Sequence, residues 1–261
     1  MITVSGVQAS VDTTGWSPLA ASIYERKQSS SEIYPYQSVQ HLRFEMEMRN
    51  AIVAAAEALS RSGLHFSDFK NSKCNERLWS RSEVGGFLIK EGVPPAEGIR
   101  DIFANGRMYA TECATATVIV VYKGVLDSIG DTAFNRLFNN LYLYDWHVDD
   151  DLRLTVQTGI RKAYPGDLQY FNNPDFNPDT PQWQGENVVV IADDLYYGHP
   201  FGIGPSRTII AGLNRSRIPG SGTSAYLTDD IVQPDYLHLS RFAPGSRSVI
   251  FARIGGKHYV L

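Results

Sequence analysis

Cys113 is the residue from which a chemical reading of this chain starts. It stands in YATECATATVIVVY (109–122), where positions 114–121 are apolar on every side apart from two threonines. A helix so composed belongs in a core. Its first turn leaves backbone N–H groups without intrahelical partners, and the helix dipole adds partial positive charge there. A cysteine at that end is favoured as thiolate, and the same N–H groups would stabilise the oxyanion of a tetrahedral intermediate. The chemistry is nucleophilic attack on a carbonyl carbon, with the acyl group carried on sulfur. The competing reading makes Cys113 a small core residue, since free cysteines are among the most buried side chains.

A thiol nucleophile needs a proton acceptor. His199 lies in YYGHPFGI (196–203), after an expected strand over 187–191 and a turn on Asp193-Asp194. The second strand of that pair would carry its imidazole to the helix end, although a lone histidine is as readily structural. Glu186, in PQWQGENVVV (181–190), opens the same strand pair and either orients His199 or meets Cys113 directly. Glu112 precedes the cysteine; ionised, it opposes a thiolate, so carboxylates this close to the nucleophile are expected to share a proton. Moving a proton from an ordinary thiol to an ordinary glutamate costs about 4 pKa units, roughly 6 kcal/mol, against about 2 units to a histidine. A Cys–Glu pair therefore requires a desolvated glutamate or a thiol acidified by the helix end.

The elements that must position these residues are legible in outline. A polar loop over 28–33 precedes a long amphipathic helix over 38–62, with Leu42, Met46, Ile52, Ala55 and Leu59 on its apolar stripe and Gly63 ending it. Pro94-Pro95 opens a short helix carrying Ile99, Ile102 and Phe103, closed at Asn105-Gly106. The segment 109–129 comes next, followed by a helix N-capped by Asp131 and carrying Phe134, Leu137, Phe138 and Leu141. Strands are expected over 141–144, 168–171, 187–191, 208–210 and 249–252, and 247–261 reads as a hairpin turned at Gly255-Gly256. Helices first and strands afterwards indicate an α+β fold, with helices covering a mostly antiparallel sheet.

Composition narrows the function. The 261 residues carry a net charge of −4 and a pI near 5.9, which disfavours nucleic acid or an anionic membrane as partner. The apolar run at 114–121 is too short to span a bilayer. No leader pattern is visible at the N-terminus, so a soluble chain made in the cytosol is expected. The two cysteines, Cys74 and Cys113, and six scattered histidines lack the close pairs of a metal site, and no metal is expected. A nucleotide-binding reading of Gly202-x-Gly204 fails because the third glycine is missing and Pro205 stands where the helix would open.

Seven segments stand out in order along the chain: NAIVAAA (50–56), IRDIFANG (99–106), YATECATA (109–116), LYDWH (143–147), GDLQYFNNPDF (166–176), PQWQGENVVV (181–190) and GHPFGI (198–203). Together they resemble the small calcium-independent protein-glutamine gamma-glutamyltransferases of spore-forming bacteria. The resemblance covers roughly residues 1–227; the acidic loop at 149–151 and the tail from Thr228 lie outside it. It implies a papain-like core of the NlpC/P60 type within a single domain of 1–261, in which 228–261 is a C-terminal extension. It puts the catalytic cysteine on Cys113, the catalytic glutamate on Glu186, a partial substitute on Glu112 and the family histidine on His199. Trp146 and Trp183 would line a substrate tunnel. The activity implied is ε-(γ-glutamyl)lysine crosslinking of spore-coat proteins through a cysteine thioester. No cofactor is needed, the protein is expected to be a monomer, and it would be made in the mother cell and deposited in the coat. The alternatives are a cysteine peptidase or amidase, which would hand the acyl group to water, and a structural coat protein with a degenerate site.

Overall fold

The computed structural model describes residues 1–158 and 162–246, and the backbone of 251–254 and 257–260. Six helices are described: α1 (Pro18–Gln28), α2 (Val39–Arg61), α3 (Pro95–Ala104), α4 (Cys113–Leu137), α5 (Ser206–Asn214) and α6 (Tyr236–Ser240). Ser38 caps α2 by accepting the His41 N–H at 3.1 Å, and all five stripe residues expected of that helix are buried. Pro94 caps α3, which ends at Asn105 as its turn chemistry requires.

α4 is the central helix, buried along both faces of its first four turns. It begins at Cys113 rather than at Tyr109, because Ala110–Thr111 is a strand pairing in parallel with His65–Phe66. The expected second helix is continuous with it across a break at Gly130, whose φ of 78° only glycine adopts without strain. Asp131 is not the cap expected of it: its carboxylate binds the Arg100 guanidinium at 2.7 Å instead. Taken whole, α4 is long and apolar enough to cross a membrane, which the short run at 114–121 did not indicate. However, 78% of its apolar window is buried inside the protein, and α4 is the core helix.

The main sheet is antiparallel throughout. Its order is Gly202–Gly204, Leu195–Gly198, Gly185–Ala192, Leu168–Asn172, Ile231–Pro234 and Leu154–Gln157, with Tyr226–Leu227 also on Leu168–Asn172. Strand Gly185–Ala192 is covered on both sides. Val189 and Ile191 join the core of α2, α3 and α4, whereas Val188 and Val190 pack with Ile209 and Leu213 of α5. The segment expected as a strand over 208–210 is therefore part of α5. Its β-branched residues favour a strand, but Ile209 and Leu213, four apart, present one helical face to Phe171 and Tyr196. Burial outweighs propensity there. The C-terminal strands Phe251–Ile254 and Lys257–Val260 pair antiparallel as expected; Gly255-Gly256 lies outside the described residues.

The helical and sheet layers are locked by a buried ion network. Arg49 of α2 reaches Glu45 at 2.8 Å, Asp167 at 2.7 Å and Gln233 at 2.9 Å, and Lys27 of α1 reaches Glu45 at 2.5 Å. The four charged groups, Lys27, Glu45, Arg49 and Asp167, are within a few per cent of full burial, so each charge is tolerated only because the others neutralise it.

Candidate active site

Two chain segments bring Cys113 to its place. The parallel strand Ala110–Thr111 delivers Glu112 as the N-cap of α4 and Cys113 as its first residue. The second segment is strand Gly185–Ala192, which carries Glu186 and Asn187 past the same helix end. Asn187 shares a sheet face with Val189 and Ile191, and its amide Nδ2 lies 3.4 Å from Cys113 Sγ. The Thr117 hydroxyl, one turn along α4, donates to the Asn187 carbonyl at 3.3 Å and pins the strand to the helix.

Electrostatics at the sulfur follow from burial. Cys113 is 8% exposed. Its thiol is pushed well above the usual range by burial, then by Glu186 and Glu112, while hydrogen bonds from Asn187 pull the other way. The Glu186 carboxyl is pushed up in turn by burial and by Glu112, against hydrogen bonds from the His199 backbone N–H and the Cys113 thiol. Two acids of raised pKa in contact hold one proton more readily than they hold two charges.

Glu112 has a role that its position in the sequence did not reveal. Its carboxylate accepts the Ala114 N–H at 2.6 Å and the Thr115 N–H at 2.7 Å. Two of the helix N–H groups expected to serve an oxyanion are thereby occupied, and the Asn187 amide is a donor that reaches the sulfur. His199 is buried, and its Nε2 lies 3.2 Å from the His65 carbonyl. Burial lowers its pKa to about 4, with the carbonyls of His65 and Thr111 opposing. The ring is a neutral tie across the two parallel strands, the second of which leads into Cys113, and no hydrogen bond joins it to the thiol among the described residues.

A cavity of about 860 Å³ opens in front of Cys113. Cys113, Asn187 and Trp146 line it, together with Phe69, Tyr170 and Leu168. Trp183 is not on its wall. That indole packs against Phe66 and Phe201, with ring centroids 5.1 and 5.9 Å away. The two tryptophans expected to line one tunnel thus stand in different surroundings.

The sequence model of protein-glutamine gamma-glutamyltransferases matches residues 1–243. The chain belongs to that family. It is a transglutaminase, 41% identical over 237 residues to the protein-glutamine gamma-glutamyltransferase of Bacillus cereus (strain G9842), covering 90% of this chain and 86% of that one. The enzyme of Halalkalibacterium halodurans is 41% identical over 234 residues, covering 89% and 82% of the two chains. Among solved structures, a transglutaminase from Geobacillus stearothermophilus (without C-terminal extension) superposes with a TM-score of 0.76. It is 48% identical and covers 79% of this chain and 98% of its own. The mixed architecture of helices on antiparallel sheet is that of a bacterial transglutaminase.

Two residues of this transglutaminase's site escaped sequence reasoning. Asn187 sat beside the chosen Glu186 in GENVVV, and strand alternation from Val189 and Ile191 would have turned it toward α4. Gly198 could not have been found that way. A Cβ there would lie 2.9 Å from Glu186 Oε1 and 3.2 Å from its Cγ, so the glycine leaves the room in which the carboxyl sits.

Proposed function

We propose that this transglutaminase forms ε-(γ-glutamyl)lysine crosslinks through a thioester on Cys113, with Glu186 as the proton carrier. The observation that carries the reading is the thiol at the cavity wall, in contact with the Asn187 amide and the Glu186 carboxyl. Sulfur attacks the carboxamide carbon of a glutamine side chain as the thiol proton passes to Glu186. Burial raises the proton affinity of the thiol and of Glu186 alike, so the carboxyl is a better acceptor than an ordinary glutamate, and the Asn187 amide offsets part of the rise at sulfur. Asn187, whose amide lies against the sulfur, is the side-chain donor offered to the developing oxyanion. The same proton then leaves with the amine as ammonia, and the thioester remains. In the second half, a lysine amine attacks the thioester, gives its proton to Glu186, and the thiol is restored.

Glu112 acts chiefly by capping α4 and so fixing Cys113, and by keeping the Glu186 proton affinity high. His199 positions the strand pair that carries Glu112 and Cys113, and its backbone N–H holds the Glu186 carboxyl. Trp146 excludes water from the thioester at the cavity wall, and Trp183 supports the opposite aromatic packing.

We further read the nucleophile helix on its antiparallel sheet as a papain-like, NlpC/P60-type core within one domain spanning 1–261. On the resemblance to enzymes of spore-forming bacteria, the substrates are taken to be spore-coat proteins bearing glutamine and lysine. The enzyme is taken to act as a monomer without calcium or any cofactor, made in the mother cell and deposited in the coat. The test is incorporation of a labelled primary amine into a glutamine-bearing protein, with and without a calcium chelator. Wild type is expected to incorporate label in both conditions, Cys113→Ala in neither, and Cys74→Ala as wild type does. Label on a folded Cys113→Ala protein would refute the reading.

A further inference from the structure

The cavity in front of Cys113 carries a charge pattern that the two half-reactions treat differently. Four aspartates from four separate segments stand on its wall: Asp68, Asp145, Asp179 and Asp230. Among the described residues no lysine or arginine lines it, and none lies within ion-pair distance of these four carboxylates. Asp145, Asp179 and Asp230 are exposed, so they form a mouth rather than a floor. Among the described residues only Asp68 has its carboxylate engaged, accepting from the Asn71 backbone N–H and side-chain amide at 2.8 Å each through Oδ1. The cavity ends on the buried thiol, whose neighbour Glu186 keeps Oε1 without a hydrogen-bond partner among the described residues.

A glutamine side chain is neutral and gains nothing from such a mouth. A lysine side chain arrives as an ammonium and is drawn to it. On the thioester reading above, on which this inference rests, we propose that this cavity is the amine entrance. In it, Asp145, Asp179 and Asp230 select cationic acyl acceptors, namely lysines set in basic stretches of the partner protein. The ammonium is concentrated at the mouth by charges that low salt leaves unscreened. Deeper in, it gives one proton to the Glu186 carboxylate and attacks the thioester carbon as a neutral amine. The carbon–sulfur bond breaks as sulfur takes the proton that Glu186 received, the isopeptide bond forms, and the second amine proton passes to the freed Glu186 carboxylate and from there to water.

The experiment compares two nucleophiles on the same glutamine peptide: cadaverine, a cation at pH 8, and hydroxylamine, which is neutral there. For wild type the ratio of their kcat/KM values should fall as sodium chloride rises from 20 to 500 mM, about tenfold in all. Asp179→Asn and Asp230→Asn should each lower the low-salt ratio about two- to fourfold, and the double variant about tenfold, with the salt dependence flattened. Wild type should also prefer a lysine peptide flanked by arginines to one flanked by glutamates. Melting curves identify a variant that fails to fold, and the single variants then carry the test. A ratio unchanged by both folded single variants, or a wild-type ratio insensitive to salt, overturns the entrance assignment alone, because hydroxamate still forms. Wild-type protein that forms no hydroxamate and releases no ammonia overturns the thioester reading and this inference with it.

Discussion

Replacing Gly198 by alanine tests whether Glu186 is the proton carrier by displacing its carboxyl while leaving every group of the proposed chemistry in the chain. Strand Leu195–Gly198 pairs with Gly185–Ala192 so that Gly198 faces Val188, and the Glu186 carboxyl folds over the glycine. The new methyl group would lie 2.9 Å from Oε1, 3.2 Å from Cγ and 3.3 Å from Val188 Cγ1. Ordinary contact begins near 3.4 Å, so the carboxyl must retreat by about 0.5 Å. A 1 Å misplacement of a reacting group costs on the order of a hundredfold, which puts this one near tenfold in rate. Overpacking costs about 1–3 kcal/mol in a rigid site, and the low end applies here because the nearest atom is the tip of a side chain. The assay is ammonia release from a glutamine peptide, run in parallel with urea denaturation. Gly198→Ala should lose about tenfold in kcat and about 1 kcal/mol in stability. In a Glu186→Ala background the same substitution should cost almost nothing further, because the atom it displaces is gone. An equal tenfold loss in both backgrounds would refute the reasoning, since the effect would then travel by another route.

The buried network predicts an acid limb to stability. Burial alone would raise the Glu45 pKa, but Lys27 and Arg49 outweigh it and hold the group at about 2. The folded value lies below the unfolded one, so the stabilisation is complete above about pH 4.5 and lost as pH falls toward about 2. Glu45→Gln should cost about 3–5 kcal/mol at pH 7 by urea denaturation and much less at pH 3, and equal losses at both would count against the network. His199, lowered to about 4 by burial, is neutral through the working range. Its contribution to stability is complete above about pH 6.5 and declines as pH falls toward about 4. His199→Gln should lower kcat while leaving the shape of the pH–rate profile between pH 5.5 and 8 unchanged, and loss of an inflection near 6.5 would make His199 a titrating base. Trp146→Ala should raise the ratio of ammonia released to isopeptide formed, followed by mass spectrometry in one reaction. Trp183→Ala should cost about 2 kcal/mol of stability with a smaller change in that ratio, and the reverse ranking would move the water barrier to Trp183.

The sequence by itself carried the local and periodic features of this protein. The apolar stripe of α2 and its serine cap, the proline-started α3 and the cysteine opening an all-apolar helix are written in neighbouring residues, because caps and helical faces are short-range physics. The same holds for the strand 187–191. Where two short-range signals disagreed, the chain alone was misleading. Thr208 to Ile210 reads as strand by its branched side chains and is helix because Ile209 and Leu213 have a core to fill. Asp131 reads as a cap and is spent on Arg100, a residue 31 positions away. Tertiary structure decided what each site residue does. Glu112 and Glu186 are the same residue type near the same sulfur, yet one is held by two helix N–H groups and the other lies over a glycine beside the thiol. His199 became a tie between strands because the carbonyls it meets, those of His65 and Thr111, come from segments 134 and 88 residues away. The acidic mouth is likewise invisible in one dimension, being assembled from aspartates spread between positions 68 and 230. Charge acts through space, and only the fold sets that distance.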